Sequence, residues 1–73
     1  MQINVYEYYI SQILKSANKG NRRIVKFIKL VEEHIGGLRY TATKMSGTSV
    51  GTWCNREANR LDLLLKNSLG KTV

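Results

Sequence analysis

Proline is absent from this chain, and Cys54 is its only cysteine. Without proline no helix is forced to break, which favours long helices over a loop-rich scaffold. One thiol excludes an intrachain disulfide, and Cys54 with the lone His34 is too few ligands for a structural zinc site. That cysteine usage suits a reducing compartment, so the expected location is cytoplasmic. No apolar run approaches the roughly 20 residues needed to span a bilayer. The amino end carries Glu7 and no early positive charge, unlike a secretory signal. Acidic residues are scarce, five against twelve Lys and Arg, and the net charge is +7. The few carboxylates form no DxD or ExxE pattern. Gly47-Thr48-Ser49-Val50-Gly51 lacks the Lys-Ser/Thr that completes a phosphate-binding loop. The expectation is therefore a non-enzymatic protein with no cofactor, no metal, no small-molecule substrate and no membrane partner.

What is present is helical periodicity. Seventy-three residues allow one small domain, 1–73. Ile3, Tyr6, Ile10, Ile13, Leu14 and Ala17 share a face of a first helix from about Ile3 to Ala17. A strand through Gln2-Ile3-Asn4-Val5 is the competing reading. Asn18-Lys19-Gly20-Asn21 reads as a turn, with Asn21 as the cap of the next helix. Ile24, Phe27, Ile28, Val31 and Ile35 form the stripe of that helix, which the glycine pair Gly36-Gly37 is expected to stop. His34 then falls in its last turn, as a capping or surface residue. Leu38 to Met45 reads as a short helix or, because of Thr41 and Thr43, a β-extension. The longest pattern follows Ser46-Gly47-Thr48-Ser49, with Ser49 as N-cap. Val50, Trp53, Cys54, Ala58, Leu61, Leu64 and Leu65 make its apolar stripe to about Leu69. Buried there, Trp53 would cost roughly 3–5 kcal/mol when cut to alanine. Glu57 interrupts the stripe, with Arg60 placed to pair with it. Asp62 and Lys66 form a favourable i, i+4 pair. Lys71-Thr72-Val73 reads as a short basic tail. The fold class is all-α: a compact bundle of three or four helices with a helix-turn-helix-like carboxyl-terminal half.

Three sets of residues are candidates for binding. Arg22, Arg23, Lys26 and Lys29 lie in a stretch between Glu7 and Glu32 that holds six cations and no acid. Such a one-sign cluster suits a phosphate or an acidic protein surface. Thr52, Asn55, Arg56 and Asn59 lie off the apolar stripe of the last helix, and their hydroxyl, amide and guanidinium groups can read base edges in a major groove. Val5 and Tyr8 fall outside the stripe of the first helix and can anchor a protein partner.

The whole chain, with Ser46-Gly47-Thr48-Ser49 and Trp53-Cys54-Asn55-Arg56 in its carboxyl half, resembles the very small, basic, helical regulators that bacteriophages make to seize host RNA polymerase. The likeness is one of overall character, since these regulators share no diagnostic motif and lend no residue roles. It implies a transcription regulator of the host bacterial cytoplasm that binds RNA polymerase, inhibiting initiation, promoting antitermination, or both. The same residues also fit a helix-turn-helix DNA-binding repressor, with DNA as the partner.

Overall fold

The computed structural model describes residues 4–70, so the expected helix start at Ile3 and the tail 71–73 lie outside the described residues. Asn4 is the N-cap of the first helix, its side-chain oxygen accepting from the Tyr6 amide at 2.8 Å. The first helix, α1 (Val5–Lys15), ends at Ser16, and Lys19 closes it. The Lys19 ammonium donates to the carbonyls of Ile13, which also accepts from the Ser16 amide, and of Ser16, the C-cap. Lys19 is thereby committed to the fold. Asn21 caps α2 (Arg22–Lys44) as expected, accepting from the Arg23 amide at 2.8 Å.

Helix α2 does not stop at Gly36-Gly37. It runs 23 residues to Lys44, and Leu38 to Lys44 are its final turns, neither a separate helix nor a strand. Two interior glycines cost about 1 kcal/mol each relative to alanine. That cost is outweighed because Leu38 beyond them packs against the core. The β-branched Thr41 and Thr43 fit the helix by donating their hydroxyls to the Gly37 and Arg39 carbonyls, each at 3.0 Å. His34 is accordingly mid-helix rather than terminal. It stacks on Tyr6, ring centroids 3.7 Å apart.

The turn Met45–Thr48 reverses the chain. Gly47 takes φ +85°, the left-handed conformation that favours glycine. The N-cap of α3 (Ser49–Gly70) is Thr48 rather than Ser49: its hydroxyl oxygen accepts from the Gly51 amide at 3.0 Å and donates to the Met45 carbonyl at 2.6 Å. The described residues thus form three helices.

The core contains Ile10 and Ile13 of α1, Ile24, Val31 and Ile35 of α2, and Ala58, Leu61 and Leu65 of α3. Cys54 is buried and free, the small hydrophobe expected of its position. Two aromatic stacks fix how α1 lies on α2: Tyr9 on Phe27 at 4.7 Å, and Tyr6 on His34. Moving back along α1 therefore moves forward along α2. On the other side, Glu7 meets Arg60 at 2.7 Å and the Asn4 amide reaches Glu57 at 3.5 Å. The amino-terminal end of α1 lies at the level of His34 and Glu57, whereas α2 and α3 continue past it. From Gly36 to Arg56, among the described residues, α2 and α3 form a two-helix hairpin with no third helix across it.

Candidate functional site

The distal hairpin is bordered by an unusual stretch of sequence. Between Glu33 and Glu57 there is no acidic residue, while Arg39, Lys44 and Arg56 are cations. Its two flanks differ in chemistry, and helical register assigns residues to each.

The flank on the α1 side continues the line of the α1 contacts. On α3, Glu57 and Arg60 touch α1; stepping back by four and seven residues from Glu57 gives Trp53 and Val50. On α2, His34 touches α1; stepping forward by four, seven and eleven gives Leu38, Thr41 and Met45. These positions would be core if α1 were longer. Instead Trp53 is 60% exposed, and Val50 and Met45 are each close to half exposed. The expectation that Trp53 and Val50 are buried is corrected, and so is that for Leu64, which is also exposed. The buried line of α3 is Gly51, Cys54, Ala58, Leu61, Leu65 and Ser68. Val5 and Tyr8, the expected anchors on α1, are exposed as well, on the first turn of that helix. Leu14, expected in the α1 stripe, is likewise exposed.

The opposite flank is polar. An open groove of about 560 Å³ lies between the end of α2 and the start of α3, lined by Arg39, Thr43, Ser46, Thr52, Asn55 and Arg56. Three of the four residues expected to form a reading face, Thr52, Asn55 and Arg56, come together here. Asn59 is exposed one turn further along α3. Arg39, Thr43 and Ser46 were not among the expected site residues. They reach the groove only because α2 continues through its glycine pair. Asp62 at the lower edge is shared by Arg39 at 3.4 Å and Lys66 at 3.1 Å. Arg56 makes no ion pair among the described residues.

The amino-terminal basic residues are not part of either flank. Arg22, Lys26 and Lys29 are exposed on the outer face of α2. Arg23 lies over the Phe27 ring, 5.3 Å from its centroid, near the seam with α1. Lys29 is ten residues before Arg39, about 15 Å along the axis. Structure therefore separates the basic cluster from the hairpin groove.

Arg60 and Glu57 hold the base of the hairpin. Two parallel hydrogen bonds at 2.8 Å join the guanidinium to the Glu57 carboxylate, and Arg60 also meets Glu7. The hydrogen-bonded Arg60 guanidinium holds the Glu57 carboxyl below its ordinary 4.5, against the upward push of partial burial, with the charges of Arg60 and His34 adding to the lowering. The same bonds push the Arg60 pKa up. A depressed carboxylate pKa contributes stability that is complete above the unfolded value and drains away as pH falls through the folded one. Glu57→Gln is expected to lower the melting temperature at pH 7, and the gap to wild type is expected to narrow below about pH 4.5. An equal gap at pH 7 and pH 3 contradicts a structural role for this charge.

Among the described residues no group of three or more His, Cys, Asp or Glu could hold a metal, and no helix is long and apolar enough to cross a membrane. Comparison with protein-family models, with curated proteins and with solved structures returns no match.

Proposed function

We propose that this protein is a non-enzymatic transcription regulator that binds bacterial RNA polymerase, inhibiting initiation, promoting antitermination, or both, and that it docks through the α1 side of its distal hairpin. The observation that carries the reading is the exposed apolar flank. Trp53, Val50 and Met45 stand exposed in positions that continue the line of the α1 contacts, and Val5 and Tyr8 are exposed on the first turn of α1. Large apolar and aromatic side chains left in water on so small a domain are the chemistry of a protein-binding hot spot. The absence of acid along the hairpin adds attraction to an acidic protein surface. Polymerase as the partner comes from the resemblance to phage regulators. The helix-turn-helix-like carboxyl half belongs to the same reading: a turn with Gly47 leads into a long helix, but that helix offers its aromatic residue to a protein.

Biolayer interferometry with immobilised, nucleic-acid-free polymerase core enzyme tests it. Binding at or below micromolar concentration is expected, with a loss of tenfold or more on Trp53→Ala or on Val5→Ser with Tyr8→Ser. No binding at 50 micromolar protein overturns the function. Binding that all these variants retain overturns the surface.

A further inference from the structure

The polar flank is a second site, with chemistry unlike that of the apolar one. Two guanidiniums, from Arg39 and Arg56, line one groove with the hydroxyls of Thr43, Ser46 and Thr52 and the amide of Asn55. Counting the neighbours Asp62 and Lys66, the groove and its edge carry three cations and one carboxylate. Asp62 is already shared between Arg39 and Lys66, and Arg56 makes no ion pair among the described residues. Hydroxyl and amide side chains beside unneutralised arginine are the groups that contact phosphate oxygens. The groove is open and, at about 560 Å³, far larger than a single phosphate, so a chain of phosphates fits it better than one ion.

We infer that this groove binds the phosphodiester backbone of a nucleic acid. Arg39 and Arg56 neutralise successive phosphates, and Ser46 and Asn55 donate to their oxygens, while the Thr43 and Thr52 hydroxyls stay on the carbonyls of Arg39 and Thr48. Trp53 is not among the residues that line the groove, so binding there is expected to be sequence-tolerant and to leave the indole unstacked. The inference goes beyond polymerase binding and does not depend on it: the two flanks are free to be occupied at once.

The test uses fluorescein-labelled 20-nucleotide DNA of mixed sequence, as duplex and as single strand, in anisotropy titrations across salt concentrations. Two charge-matched variants are compared, each checked by circular dichroism for an intact fold. Arg39→Gln with Arg56→Gln is expected to weaken binding at least tenfold and to reduce the duplex salt slope by about 2, since each neutralised phosphate contributes roughly 0.9. Lys26→Gln with Lys29→Gln removes the same charge from the outer face of α2 and is expected to cost less than threefold. The two DNA arms decide whether duplex or single strand is preferred. Trp53 emission is expected to stay constant at saturation. Absence of binding at millimolar protein, equal losses for the two variants, or a shifted Trp53 emission overturns the inference. So does a groove that ignores both DNAs while Arg39→Gln with Arg56→Gln weakens polymerase binding, which assigns it to protein instead.

Discussion

Gly51→Ala is expected to disrupt the distal hairpin despite adding only one methyl group. A Cβ at this position would overlap the Met45 carbonyl oxygen, and would lie 2.9 Å from its carbonyl carbon and 3.3 Å from the Ala42 oxygen. All three are backbone atoms of the end of α2 and the turn, so no side chain can rotate away. Alanine gains about 1 kcal/mol of helix propensity over glycine. The overlap exceeds that gain, because relieving it requires α3 to retreat from α2, and overpacking of this kind costs roughly 3 kcal/mol or more. A core of this size supplies only about 3–5 kcal/mol in total. At about 4–8 °C per kcal/mol, calorimetry is expected to show a melting temperature at least ~10 °C lower. A change of under 2 °C contradicts the close approach of the two helices.

Leu61→Ala and Trp53→Ala are expected to have opposite effects from those that side-chain size suggests. Leu61 is fully buried where the three helices meet, and its truncation leaves a cavity worth about 2–5 kcal/mol. Trp53 is the larger residue, but its ring is mostly in solvent, and removing it is expected to change stability by no more than about 0.5 kcal/mol. Urea denaturation of the two variants measures both. A Trp53 variant destabilised by 3 kcal/mol would mean that the indole is buried, and that the apolar flank belongs to the core.

This contrast also marks where sequence reasoning reaches its limit. Periodicity locates the helices because apolar residues at steps of three and four must share a face, and the Asn21 cap and the Glu57–Arg60 pair follow from spacing alone. Trp53 satisfies the same spacing, but whether a stripe position is buried depends on the length of the helix packed against it. Helix α1 is 11 residues against 22 and 23 for its neighbours, so among the described residues it covers the stripe only as far as Glu57. Gly36-Gly37 misleads for a related reason. Its local penalty is legible in the sequence, whereas the packing of Leu38 that overrides it is tertiary. The groove inherits that error, since Arg39 and Thr43 join Asn55 and Arg56 only on a continuous α2. Thr52, Asn55 and Arg56 were legible as an exposed polar face, because polarity opposite a buried stripe needs only the helix itself.

The measurement that tests the central claim most directly exploits the single tryptophan. Protein labelled with 5-fluorotryptophan gives one fluorine resonance, from Trp53. On addition of unlabelled bacterial RNA polymerase core enzyme, that resonance is expected to broaden and shift in a saturable way, and on addition of duplex DNA alone to stay in place. A resonance that ignores polymerase at concentrations of tens of micromolar, or that moves instead with DNA, contradicts the assignment of the apolar flank as a polymerase-docking surface.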